Sequence, residues 1–126
     1  MEQLLRVISI EEQLDTLVDY WNPLIVGELN DQVVKVVKLK GEFVMHHHEN
    51  EDEMFMVVQG NLTIEFEDCG KKINKGEFII IPKGIKHKPV AENEVHVLLF
   101  EPQSTLNTGN ITNEMTVAKP KRQDDC

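Results

Sequence analysis

Three histidines stand side by side in this 126-residue chain, His46, His47 and His48, and Glu53 follows five residues after the last of them. On an extended strand successive side chains point to opposite faces. His46 and His48 therefore project to one side and His47 to the other, a surface or interface position. Two imidazoles on one face with a carboxylate close behind suit a divalent metal of borderline softness. His87, three residues past the turn Pro82-Lys83-Gly84, is a further candidate ligand from the second half of the chain.

These residues need strands to hold them. From Leu24 onward, short β-branched and apolar runs alternate with Gly, Asn, Asp and Pro, the texture of strands and tight turns. The expected strands are Leu24–Glu28, Gln32–Leu39, Phe43–His48, Glu53–Gln59, Leu62–Phe66, Lys72–Asn74, Glu77–Ile81, His87–Val90 and Glu94–Phe100. Turns are expected at Asn30-Asp31, Gly60-Asn61, Asp68-Cys69-Gly70, Pro82-Lys83-Gly84 and Ala91–Asn93. Many short strands with regular turns predict an all-β sandwich or barrel.

Before the strands, a short strand is expected around Leu4 to Ile8. Ser9 and Glu12 form a Ser-x-x-Glu capping box, and Ile10, Leu14, Leu17 and Val18 carry helical spacing. Pro23 cannot sit inside that helix, so one helix is expected over Ile10–Asp19. Gln103–Thr116 reads as a surface wrap, and Lys119–Cys126 as a charged, frayed end.

The length fits one domain, residues 1–126, with a barrel core over about 24–100 and a surface tail over 101–126. The formal net charge is −9, which disfavours nucleic acid and anionic membrane surfaces as partners. Cys69 and Cys126 form no disulfide framework or C-x-x-C site. No apolar run has the length of a signal peptide core or a membrane span, and a cytoplasmic setting is the expectation. Both faces of Glu53–Val58 are apolar, with Glu53, Phe55 and Val57 on one and Met54, Met56 and Val58 on the other. Both should be covered, and a homodimer is the expected cover for the outer one.

The two halves of the site carry a family resemblance. Gly41, His46-x-His48-x4-Glu53 and x6-Gly60 resemble the first motif of the cupin superfamily, G-x5-H-x-H-x3-4-E-x6-G, with Gly41 one residue nearer the first histidine. Gly76-x5-Pro82-x-Gly84-x2-His87 resembles the second motif, G-x5-P-x-G-x2-H-x3-N, with Ala91 in the place of the final asparagine. The resemblance covers about residues 32–100. It implies a double-stranded β-helix, the jelly-roll cupin barrel, with one short N-terminal helix added here. It also implies one divalent metal, iron, manganese, nickel, zinc or copper, held by His46, His48, Glu53 and His87. Three imidazoles and one carboxylate suit any of these ions, and a six-coordinate ion would keep two positions open.

Two classes of function are compatible with these residues. One is a metal-dependent enzyme, oxygenase-like or an isomerase, acting on a small organic acid or sugar-like substrate. The other is a small-molecule or metal-binding and sensing module without turnover. No sequence feature identifies an acid or base beside the metal, and the catalytic residues are unknown from the sequence. Phe55, Val57, Phe78 and Ile80 are candidate barrel lining, which would make the pocket largely apolar. Phe43, Met45, Met54 and Met56 fit an interface or helix-facing surface. Tyr20 and Trp21 read as lid or packing residues, and His96 as a core or interface histidine. The loop Glu49–Asp52 and the lysines Lys83, Lys86 and Lys88 read as solvated rims.

Overall fold

The computed structural model describes residues 5–110, 115–118 and 120–122. Side-chain alternation along two long strands sets the architecture. β2 (Gln32–Glu42) buries Val33, Lys35, Val37 and Leu39 on its odd face, and β7 (Lys88–Pro102) buries Val95, Val97, Leu99 and Glu101 on its own. The two strands pair antiparallel from Gln32↔Pro102 to Glu42↔Val90 and form the spine of the molecule. β1 (Leu24–Leu29) flanks β2.

On the far side of β7, its two ends take different partners. The C-terminal end pairs with β3 (Glu53–Gln59), which carries β6 (Phe78–Ile81). The N-terminal end pairs with β4 (Asn61–Glu65), which carries β5 (Gly70–Asn74). Two sheet arms thus branch from a common spine and face each other. Phe55, Val57, Leu62, Ile64, Ile73 and Val97 fill the space between them. This is the jelly-roll barrel, all-β apart from one short helix.

The branching depends on a feature the sequence expectation missed. His87–Val90, the turn Ala91–Asn93 and Glu94–Phe100 are not two strands but one, β7. The register against β2 jumps between Leu39↔Val95 and Gly41↔Ala91, so residues 92–94 bulge where one residue, Lys40, stands opposite. A bulge bends a strand and sharpens its twist without ending it. The turn-like letters Ala-Glu-Asn mark that bend.

Other differences are local. No strand forms over Leu5–Ile8, and Leu4 lies outside the described residues. The helix α1 runs only over Ile10–Asp15, capped by Ser9, whose hydroxyl accepts from Glu12 N at 3.2 Å. Thr16 ends it early, its hydroxyl donating to Gln13 O at 2.7 Å and so satisfying a terminal carbonyl. Leu14 still packs with Leu24, Val26 and Val36 against the outer face of the sheet. Phe43–His48 is not a ladder strand; it forms an isolated antiparallel bridge, His46↔His87, and Phe43 N donates to Pro89 O at 2.9 Å.

The segment after residue 100 is more than a surface tail. Glu101, Thr105 and Thr108 are buried. In the expected frayed end, β8 (Lys121–Arg122) pairs parallel with Leu24 and Ile25, while residues 119 and 123–126 lie outside the described residues. Phe78 and Ile80 do not line the barrel: they are 59% and 56% exposed, on the outer face. Their even parity on β6 places them beside Met56 and Met54 of β3. The inward face of that arm belongs to Phe55, Val57 and Ile81.

Candidate metal centre

The bridge that replaces the expected strand brings the two halves of the site together. His46 N donates to His87 O at 2.9 Å, and His87 N donates to His46 O at 2.8 Å. Gly84 N donates to His48 O at 2.7 Å, which ties the Pro82–Gly84 turn to the same histidine segment. Gly84 has φ +85°, a conformation that glycine adopts without the strain a Cβ would bring. Glu53 enters from the first position of β3, on the inner face.

His46, His48, Glu53 and His87 are all buried, and one ligand atom from each lies within 4.8 Å of the others. These are the residues of the sequence expectation, brought to one point. His47 stays outside the group, with Nε2 3.6 Å from Glu49 Oε1 at the surface.

The imidazoles are oriented by the main chain. His46 Nδ1 lies 2.9 Å from Val44 O, and His87 Nδ1 lies 2.9 Å from Ile85 O. A carbonyl can only accept, so each Nδ1 carries the proton and each Nε2 keeps its lone pair. Both Nε2 atoms are buried without a hydrogen-bond partner. His48 Nε2 lies 3.1 Å from Glu53 Oε1, and His87 Nε2 lies 3.3 Å from the same oxygen without hydrogen-bond geometry. Buried lone pairs converging on a carboxylate are costly unless a cation completes them. The donor set and its geometry fit a divalent transition metal.

The electrostatics point the same way. Burial, and then the neighbouring His87, push His46 down to about 4, so its ring is neutral and ready to ligate near neutral pH. Burial acts to raise the Glu53 carboxyl, but the hydrogen bond with His48 and the close approach of His87 together outweigh it and hold the group well below the usual carboxylate range.

Beside this group lies a pair that went unnoticed in the sequence. Lys35 Nζ meets Glu101 Oε2 at 2.9 Å, with both side chains almost fully buried. Burial, followed by the charge of Glu53, pushes the Glu101 carboxyl well above its ordinary value, with Lys35 opposing. Parity was the available signal. Lys35 shares a face with Val33, Val37 and Leu39, and Glu101 with Val97 and Leu99, so both had to point inward.

A pocket opens over these residues. Its cavity is about 40 Å³, walled by Trp21, Phe43, Phe55, Leu99 and other apolar side chains, with His46, Glu53, Lys35, Glu101 and Asn107 as its polar groups. Trp21 stacks on Phe43 with ring centroids 4.7 Å apart and donates from Nε1 to Lys40 O at 2.8 Å. Phe43 in turn meets the His46 ring edge-on at 5.5 Å. Phe43 is therefore a pocket residue, not the interface or helix-facing residue expected. His96 lies outside the pocket, on the other face of β7, where its Nε2 is 2.7 Å from Glu94 Oε2. Lys86 and Lys88 pair with Glu67 and Glu42 at the rim.

A strap from the C-terminal segment backs the histidines. Asn110 N donates to His47 O at 3.0 Å, and His47 N donates to Asn110 Oδ1 at 2.9 Å. Gly109, with φ +58°, lies so close that a Cβ there would sit 2.2 Å from His47 O and 2.9 Å from His46 Cδ2.

The chain matches known proteins on the same ground. A solved structure of a cupin-2 domain containing protein from Shewanella frigidimarina NCIMB 400 is 39% identical, covers 77% of this chain and 95% of that one, and superposes with a TM-score of 0.76. Protein NMB1881 from Neisseria meningitidis is 28% identical over 78% of this chain and all of that one, with a TM-score of 0.72. The uncharacterized protein YdbB of Bacillus subtilis (strain 168) is 38% identical over 64 residues, half of this chain and 57% of that protein, so the match spans little more than half its length. The cupin domain family pattern matches residues 33–101, the stretch from the first strand of the spine to the buried Glu101. That stretch is more than half of the chain, and the protein belongs to the cupin family.

Proposed function

We propose that this cupin holds one divalent transition metal through His46, His48, Glu53 and His87 and is an enzyme acting on a small oxygen-bearing substrate, by an oxygenase-like or isomerase reaction. The observation that carries this reading is the convergence of four buried ligand atoms within 4.8 Å at the wall of a pocket. A bound ion would supply Lewis acidity to a substrate oxygen and coordination positions for it.

The chain's own residues do the rest. The carbonyls of Val44 and Ile85 hold the His46 and His87 rings in one tautomer. Trp21 and Phe43 exclude water from one wall of the pocket. Glu101, whose carboxyl burial holds well above its ordinary value, lines the pocket beside the ligand group, and Lys35 fixes its orientation.

Elemental analysis of the protein as purified, set against His87→Ala, tests the metal. One ion per chain in the wild type, and its loss from a folded variant with an unchanged circular-dichroism spectrum, is the expected result. A well-folded wild type that takes up no zinc, iron, manganese, nickel or copper near pH 7.5 overturns the reading.

A second copy of the chain is part of the proposal. Phe78 and Ile80 on β6, whose pairing is with β3 alone, form an exposed apolar face with Met54 and Met56 beside them. Such a face on an edge strand favours a partner.

A further inference from the structure

We infer that the pocket takes a compact ligand with an apolar body and one oxygen-bearing head, and that it discriminates against sugars and sugar phosphates. This rests on the metal-dependent reading above and narrows its substrate.

Few polar atoms of the lining are free to meet a ligand. Trp21 Nε1 is committed to Lys40 O at 2.8 Å. Asn107 has both ends of its amide committed: Nδ2 donates to Met115 O at 2.7 Å, and Oδ1 accepts from Val117 N at 2.7 Å. Lys35, the single cation of the lining, is neutralised by Glu101 Oε2 at 2.9 Å. His46 and Glu53 belong to the ligand group. What remains is Glu101 Oε1, buried and without a hydrogen bond of good geometry, with the Glu53 carboxylate close beside it. Beyond the two positions that a six-coordinate ion would leave open for an oxygen-bearing head, it serves one polar group of a ligand and no more.

A sugar brings several hydroxyls into the pocket. Each that loses water without finding a protein partner weakens binding. A phosphate monoester brings nearly two charges where a small acid brings one, and no unpaired cation in the lining meets the excess. An alkyl or aromatic body, by contrast, meets Trp21, Phe43, Phe55, Val37, Leu39 and Leu99. The cavity sets the size: about 40 Å³ is room for roughly three waters, so the ligand is of the order of a short-chain keto acid.

The test is calorimetric titration of the zinc-loaded protein with graded probes: glyoxylate, pyruvate, 2-oxobutanoate, 3-methyl-2-oxobutanoate, 3-hydroxypyruvate and ribose 5-phosphate. Quenching of Trp21, the single tryptophan of the chain, reports binding independently. Affinity should climb by up to about fourfold with each added methylene until the cavity is full. The 3-hydroxyl should lower it relative to 2-oxobutanoate by about tenfold, and ribose 5-phosphate should bind more weakly than pyruvate. Flat affinity along the alkyl series, or tighter binding of 3-hydroxypyruvate or ribose 5-phosphate, overturns the inference while leaving the metal site intact. Failure of zinc to load at all overturns the metal-dependent reading, and this inference with it.

Discussion

Gly109→Ala is the sharpest perturbation the structure offers, because a close control exists in the same chain. Gly109 and Gly41 both have positive φ, +58° and +87°. Alanine in that region costs about 1 kcal/mol relative to glycine. At Gly41 nothing lies within 4 Å of an added Cβ, so Gly41→Ala should lose that amount alone. At Gly109 the same methyl would sit 2.2 Å from His47 O and 2.9 Å from His46 Cδ2. Either the strap compresses against backbone, at about 1–3 kcal/mol, or it lifts away and gives up its two hydrogen bonds with His47, at about 1 kcal/mol each. The cheaper route sets the cost, so the total expected is about 2–3 kcal/mol, read from urea unfolding. Lifting the strap also frees the histidine segment, so zinc affinity, measured by competition with a chromophoric chelator, should fall about 10- to 100-fold. Gly41→Ala should leave zinc affinity within about twofold of wild type. If the two variants match in both stability and zinc affinity, the strap does not support the site.

Three further outcomes are expected. Lys35→Met should destabilise the protein by about 3 kcal/mol in thermal unfolding, because it leaves Glu101 buried without its counter-ion, and Lys35→Met with Glu101→Gln should recover most of that loss. The metal-free protein should lose stability as pH falls from 6.5 to about 4, since the unfolded chain then protonates His46 and the folded chain does not. The His46 contribution approaches about 3 kcal/mol at the acid end, and His46→Leu should flatten that part of a urea-midpoint curve against pH. Glu53 adds to the loss at lower pH because its folded carboxyl is held down, while Glu101, held up, works in the opposite sense. Ile80→Lys should convert a dimer to monomer in light scattering without moving the circular-dichroism spectrum, given how exposed Ile80 is in the single chain.

The gathering of His46, His48, Glu53 and His87 was legible in the sequence through the cupin resemblance, whose two motifs carry these residues at fixed spacings. Strand parity separated His47 from His46 and His48, and the glycine and proline of the Pro82–Gly84 turn announced His87. The span of β3 was legible for a similar reason: its alternation is unbroken from Glu53 to Gln59. What failed was whatever depended on a partner strand. Ala91–Asn93 carries turn letters, yet β2 holds it in the ladder as a bulge, and no local pattern tells a bulge from a turn. Phe78 and Ile80 look like barrel lining by hydropathy, but register against Met56 and Met54 turns them outward. Lys35 and Glu101 were overlooked because charged side chains are presumed solvated, although parity with their neighbours already directed them inward. The strap was out of reach. Its contact with His47 spans 63 positions, and only the folded backbone brings those ends together.

That strap has a thermodynamic consequence of its own. The barrel is built from the spine and its two arms, with an apolar core cluster that contains none of residues 103–110. Among the described residues, the hold of Gly109-Asn110 on the histidine segment runs through two hydrogen bonds between Asn110 and His47. Opening such a segment costs far less than unfolding the barrel. The strap therefore has an opening equilibrium of its own, nested inside a fold that stays intact. Amide exchange should show it directly: His47 N–H and Asn110 N–H exchanging together at a low opening free energy, while the amides of β2 and β7 exchange only with global unfolding.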